Sequence, residues 1–326
     1  MARETNLQQW RFALAVARNG LSVTHAAQIL GVSQPAISRA LKELEQILGF
    51  AVFVREGRAL TRITPEGEQV LAAAQRAVNE FNGLTALARD VAGEESGSLS
   101  LATTHTQARY VLPPVVTAFR HRHPSVDLNL HQGTSEQIAE MVAADRVQLA
   151  IATGSEGLFA GMVLLPVYRW HRQVVVPRKH PLTRAGRLTL EKLAAFPLVT
   201  YVFSFSGASS LQQIFERAGL TPKIALTARD SDVIKTYVRL GLGVGIIASV
   251  AIDPREDHDL VVLDADHLFP IHTTWVGFRR GTRLREYTYD FLAAFGPHLT
   301  RRLIDRAAAD PARIPDLFRR IALPVQ

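Results

Sequence analysis

The 326-residue chain contains no cysteine. That excludes a disulfide framework, thiolate metal sites and a cysteine nucleophile, and it fits a reducing compartment. Long apolar runs are also missing. The longest weakly polar stretch, 241–252, falls far short of the ~20 residues a membrane helix needs. The opening MARETNLQQW carries charge where an export signal requires an apolar core. Together these features predict a cytoplasmic protein with no membrane contact.

Signatures of catalysis are absent as well. His121, His123, His131, His171 and His180 show no H-E-x-x-H or related spacing and read as surface or packing residues, so no metal site is expected. Ser204 and Ser206 lie in no G-x-S-x-G elbow, and no carboxylate pair suggests an acid/base couple. Gly241-Leu-Gly-Val-Gly245 looks like a dinucleotide loop, but it follows a helical pattern and leads into an apolar strand, the reverse of the required order. It reads as a helix C-cap and a tight turn. The expectation is a protein that is not an enzyme and carries no cofactor.

Acidic residues are in deficit: 37 Lys and Arg stand against 30 Asp and Glu, a net charge of +7. The excess is localised. Residues 1–64 hold Arg3, Arg11, Arg18, Arg39, Lys42, Arg55, Arg58 and Arg62 against Glu4, Glu43, Glu45 and Glu56. Residues 301–326 carry six Arg against Asp305, Asp310 and Asp316, and the remainder is neutral. Two basic ends around a neutral body point to a polyanion-binding module joined to something else. The 47% apolar and 21% charged composition is that of a folded chain, and its length suggests two or three domains.

In the first sixty-four residues, Leu7, Trp10, Leu14 and Ala17 recur at helical spacing, and Asn19-Gly20 supplies a stop. A second short helix spans about 24–30, and Gly31 follows it. Ser33 is placed as an N-cap whose hydroxyl accepts from the first turn, where Pro35 is tolerated. Ala27 and Gly31, four apart, match the packed small residue and turn glycine of a helix-turn-helix. On the third helix Ile37, Leu41, Leu44 and Leu48 form the apolar stripe, leaving Gln34, Ser38, Arg39 and Lys42 on the other side. Gln and Arg can read base edges while Ser and Lys hold phosphates. The same face would also suit the solvated side of an ordinary three-helix bundle. Residues 50–63 read as a two-stranded wing whose Arg55 and Arg58 could reach the DNA backbone or minor groove, or be plain surface arginines.

Thr64-Pro65-Glu66 opens a long helix. Val70, Ala77, Leu84 and Val91 are seven apart, with Ala74, Phe81 and Ala88 between them: an a/d seam over about 40 Å at ~1.5 Å per residue. That seam predicts pairing with a second copy, with packing on its own module as the alternative. Residues 94–98 read as a flexible joint. Beyond it, strand-like runs lead repeatedly into Thr- and Ser-rich turns and then helices, at 99–107, 126–135, 149–155, 198–207 and 224–231. This grammar predicts mainly parallel sheets in two α/β lobes, with a mixed stretch near 166–180. Neutral hydroxyls at the carboxyl ends of strands suit a small anion or zwitterion held by donors and helix dipoles. Any one of these turns reads more simply as an N-cap, and it is their number together that favours a cleft.

This arrangement resembles the LysR-type transcriptional regulators. The likeness covers the whole chain and tightens to their sulfur-gene subgroup through ATTHTQARYVLPPV (102–115), HQGTSEQIAE (131–140), AIATGSEGLF (150–159), PLVTY (197–201) and DVIKTYVRLGLGVGIIAS (232–249). The head motif SQPAISRALKELEQILG is only family-level. The resemblance implies an α/β fold with a winged helix-turn-helix at 1–64, a dimerising linker helix and hinge at 65–96, and an effector domain like a periplasmic binding protein at 97–300. It further implies one lobe of about 97–165 with 271–300, another of about 166–270, and a basic helical tail at 301–326. The DNA-binding set is Ser33, Gln34, Pro35, Ser38, Arg39, Lys42, Arg55 and Arg58. The family's effector contacts fall on Thr104, Thr106, Gln107 and Thr153, and on Ser206, which replaces the family's threonine in FSFSG (203–207). The implied partners are promoter DNA, RNA polymerase, further copies as homodimer and homotetramer, and O-acetylserine or N-acetylserine with sulfate or thiosulfate. The implied role is activation of sulfate-assimilation and cysteine-biosynthesis genes or, alternatively, control of sulfonate and other sulfur-source genes. A small-anion solute-binding protein is the reading from another class.

Overall fold

Local signals at the helix ends organise the first module. The computed structural model describes residues 4–57, 59–91, 96–144, 146–154, 156–202 and 211–326. Asn6 caps α1 (Leu7–Arg18) with a reciprocal box to Gln9. Ser22 caps α2 (Val23–Leu30), which ends on Gly31 in the left-handed region. Helix α3 (Gln34–Leu48) buries Ile37, Leu41 and Leu44 against α1 and α2. Ser33 takes the N-cap position with extended backbone, yet its hydroxyl makes no cap bond. Pro35 removes one first-turn donor, and the Ala36 N–H goes to the Ser33 carbonyl at 3.0 Å instead.

Strands β1 (Phe53–Glu56) and β2 (Ala59–Ile63) pair antiparallel as the wing. Thr64 Oγ1 then accepts from Gly67 N–H at 2.9 Å and starts α4 (Pro65–Val91). Gly67 has to be glycine. A Cβ there would lie 2.3 Å from the Val52 carbonyl oxygen. The first half of α4 buries Leu71, Ala74 and Val78 in the module's own core, so Ala74 is taken out of the expected seam. Ala77, Phe81 and Leu84 stay exposed, the last two at 47% and 64%.

The chain divides into two units, Met1–Glu94 and Glu95–Gln326. The second holds two five-stranded sheets. One runs in the order β4 (Val126–Gln132), β3 (Gly97–Thr103), β5 (Leu149–Thr153), β12 (His272–Arg279), β6 (Met162–Trp170). The other runs β11 (Leu260–Leu263), β7 (Arg172–Pro177), β10 (Val244–Ala248), β8 (Leu198–Tyr201), β9 (Ile224–Ala228). Gly97 and Ser98, expected in the joint, already belong to β3.

Neither sheet is mainly parallel. β3–β4, β3–β5, β8–β9 and β8–β10 are parallel, whereas β12 runs against β5 and β6, and β7 against β10 and β11. The chain crosses from the first lobe to the second and back, and the strands at each crossing enter reversed. His171 alone separates β6 from β7, which accounts for the mixed stretch near 166–180. The glycine run behaves as expected: α9 (Ser231–Arg239) ends at Leu240, Gly241 is left-handed, and β10 follows.

The first lobe's core gathers α5 (Leu112–Arg122), α10 (Glu286–Phe295) and, beyond residue 300, Ile304, Ala307 and Phe318. Pro113 and Pro114 fall in the first turn of α5, which continues past them to Arg122. Among the described residues no helix is long and apolar enough to cross a membrane.

Candidate DNA and effector sites

The outer face of α3 carries Gln34, Arg39 and Lys42 exposed and Ser38 half-buried. The Gln34 amide donates to Ser38 Oγ at 3.1 Å, so both lie along one helix edge. Among the described residues neither Arg39 nor Lys42 makes an ion pair. On the wing, Arg55 is tied to Glu45 at 2.8 Å, while the other Glu45 oxygen receives the Val52 and Phe53 N–H groups at 2.9 and 3.1 Å. That anchored carboxylate holds the wing to α3. Arg58 lies outside the described residues.

In the second unit, β3 delivers Thr104, Thr106 and Gln107 at its carboxyl end, and β5 delivers Thr153. Thr106 and Gln107 are buried, and Thr104 is half-buried. Thr153 Oγ1 lies 2.8 Å from Thr274 Oγ1 on β12, and Gln107 donates to Thr274 at 3.5 Å. Tyr168 donates to the Gln107 carbonyl, and the Trp170 indole donates to Thr153 at 3.4 Å. Burial pushes the Tyr168 phenol well above its ordinary range, so it stays a donor. Ser206 lies outside the described residues.

The second lobe meets this turn directly. Thr106 Oγ1 stands 3.4 Å from Ser231 Oγ, at the start of α9. Ser231 in turn lies 2.6 Å from the Tyr201 hydroxyl, which accepts from Ala248 N–H at 3.1 Å. Burial pushes Tyr201 upward too. Beside them, Arg172 is 4% exposed and donates to His272 Nε2 at 2.8 Å. Burial lowers the Arg172 guanidinium to about 10. Burial first, then Arg172 and His171, lowers His272 to about 3, so the ring is neutral and can accept. It stacks on Trp170 at 4.5 Å.

A clamp closes the mouth. Asp232 accepts from Tyr110 at 2.6 Å and pairs with Arg109 at 2.9 Å and His105 at 3.4 Å. Arg109 also reaches Glu256 at 3.0 Å. Burial works to raise the Asp232 carboxyl, but Tyr110, His105 and Arg109 outweigh it and hold the group below its ordinary value. His105, Asp230 and Asp232 could each offer a ligand atom within 4.8 Å of the others. Asp232 already spends both oxygens on Arg109 and Tyr110, so the trio is better explained as a bolt between lobes. The neighbouring recess of about 370 Å³ is crossed by Lys235–Asp257 and Arg239–Asp259 pairs at 2.7 and 2.8 Å. Its charges are mutually satisfied, unlike a site awaiting an ion.

Gln107 and Thr153 thus share one network through Thr274, and Thr106 joins a second through Ser231, with Thr104 on the same turn. Sequence reasoning missed Tyr168, Trp170, Tyr201, Ser231, Thr274 and Asp232. Ser231 was visible only as a turn residue, Tyr201 and Asp232 only as members of subgroup stretches, and Tyr168, Trp170 and Thr274 carried no signal.

Residues 92–300 match the LysR substrate binding domain, and residues 7–68 match the bacterial regulatory helix-turn-helix protein of the lysR family. The chain is 43% identical to the HTH-type transcriptional regulator CysB of Haemophilus influenzae over 97% of its length and 98% of that protein. It is 44% identical to the regulator SsuR of Burkholderia cenocepacia over 90% of its length and 96% of that protein. The solved cofactor-binding domain of the Cbl transcriptional regulator superposes with a TM-score of 0.62 at 43% identity, covering 66% of this chain and 94% of that domain. Head, wing, two-sheet body and kinship agree: the chain belongs to the LysR family of transcriptional regulators and is related to CysB, SsuR and Cbl.

Proposed function

We propose that the chain is a DNA-binding activator of sulfate-assimilation and cysteine-biosynthesis genes, switched by a small molecule bound between its two lobes. The observation that carries this reading is the hydroxyl network that runs from Thr153 and Thr274 to Gln107, with Thr106 facing Ser231 across the lobes. Neutral donors of this kind suit acetylserine, as the O- or N-acetyl form, and sulfate or thiosulfate without a titrating counter-ion. Thr104, Thr106, Gln107 and Thr153 make the contacts, with Ser206 completing them. Ser33, Gln34, Pro35, Ser38, Arg39 and Lys42 meet the major groove, and Arg55 and Arg58 meet the backbone beside it.

The working division is a DNA head at 1–64, a pairing helix and hinge at 65–96, an effector domain at 97–300 and a tail at 301–326. Exposed Phe81 and Leu84 support pairing along α4 into dimers, which assemble as tetramers on promoters and engage RNA polymerase. The protein works in the cytoplasm by binding and not by turnover.

A second reading, carried by the same resemblance to the sulfur-gene subgroup, is control of sulfonate and other sulfur-source genes. Promoter occupancy and transcription with O-acetylserine, N-acetylserine, sulfate and thiosulfate added singly test the proposal. A response to none of them, at promoters of either gene class, overturns it.

A further inference from the structure

The matched substrate domain ends at residue 300, but the chain continues over the first lobe. Phe318 is buried in that lobe's core, and Ile321 and Leu323 pack against it. The segment after them runs along β6, the edge strand of its sheet. Arg169 N–H donates to the Pro324 carbonyl at 2.8 Å, and Gln326 N–H donates to the Arg169 carbonyl at 2.9 Å, a parallel bridge centred on Val325. Arg169 lies two residues before His171, the one-residue crossover between the sheets.

The second lobe comes to the same point. Ser249, which follows β10, donates its N–H to the His171 carbonyl at 2.9 Å. Its hydroxyl accepts from His171 N–H at 3.3 Å and donates to the Gln326 carbonyl. One end of the tail is therefore packed into the first lobe and the other is bonded to the second. We propose that residues 324–326 form a strap across the lobe crossover that holds the cleft in its closed arrangement, and so set effector affinity from a place that touches no effector. Two hinged bodies joined by few crossings can turn about them, and a tie across the crossing biases that equilibrium.

The absence of cysteine allows one spin label per lobe at exposed positions, through Glu140→Cys and Arg217→Cys. Three variants test the strap in the full chain. Gln326→Pro removes the N–H that bonds Arg169 while keeping Val325 in the extended range it already occupies, Ser249→Ala removes only the hydroxyl, and a chain ending at Leu323 removes the strap. Each should broaden the inter-lobe distance distribution. Each should also weaken binding of O-acetylserine or sulfate by at least about fivefold, the lower end of ordinary coupling between sites. An unchanged distance distribution in Gln326→Pro and Ser249→Ala overturns the proposal, whether or not the shortened chain folds. The affinity half rests on the effector reading above and the distance half does not. If neither probe binds the unaltered chain, that reading fails alone and the distances still decide the strap.

Discussion

Replacing Asp232 with asparagine keeps its shape and removes its charge, so it unbolts the lobes without carving a cavity. Two terms are lost. The Arg109 pair, at 2.9 Å, joins side chains that are 45% and 34% exposed, and solvent screening limits it to about 0.5 kcal/mol. The Tyr110 bond, at 2.6 Å, falls from a charge-assisted to a neutral one, a difference of about 1 kcal/mol. Together they shift the closed-to-open ratio about tenfold, since 1.4 kcal/mol is one decade. Effector affinity should drop about three- to tenfold, by the fraction of binding-competent protein lost. Titration calorimetry at neutral pH with O-acetylserine and with sulfate reads this directly. Affinities within about twofold of the unaltered chain, in both Asp232→Asn and Tyr110→Phe, would refute the bolt. The acid dependence has a definite sign. A carboxyl held below its ordinary value contributes stability above that value and loses it as pH falls through the lowered one. The share of the clamp that rests on the Asp232 charge is thus constant through neutral pH and is lost only in acid.

Three further outcomes follow from named contacts. Arg39→Ala should weaken promoter binding by about 1–3 kcal/mol if it reads a base, and flatten the salt dependence if it holds a phosphate, with effector affinity unchanged; anisotropy across a salt series separates the cases. Gly67→Ala places a methyl 2.3 Å from the Val52 oxygen and should cost about 1–3 kcal/mol in a thermal melt, whereas Gly83→Ala, with nothing within 4 Å, should be neutral or mildly stabilising. His272, lowered to about 3 from 6.5, stays neutral when folded and protonates on unfolding, so stability should decline as pH falls from about 6.5 towards 3. His272→Gln should make that decline shallower in urea titrations at pH 4 and 7; an identical slope contradicts it.

The head was legible because its signals are local. Gly31 and Pro35 act within one turn of the residues they organise, and Ile37, Leu41 and Leu44 repeat at the helical period. Even there Ser33 misled, since the capping rule assumes a first-turn donor that Pro35 and the Ser33 carbonyl between them remove. The seam on α4 was read one step too wide. Periodicity identifies an apolar stripe and not its partner, and Ala74 turns inward to α1's side of the module while Phe81 and Leu84 stay out. In the body, alternating strands and helices revealed two lobes, but strand direction depends on where the chain crosses between them. A one-residue crossover at His171 shows in the sequence only as a mixed stretch near 166–180, with no sign of strand direction. The candidate cleft was legible only as turns. Thr274 lies 121 residues from Thr153 and Ser231 lies 125 from Thr106, and no local pattern announces such pairs.

The most direct test is promoter affinity of the unaltered chain and of Thr106→Ala, each measured with and without saturating O-acetylserine at fixed salt. Both proteins should grip bare promoter alike, and only the unaltered chain should change its grip when the small molecule is added. A Thr106→Ala protein that responds in full would contradict the link between the cleft and the DNA.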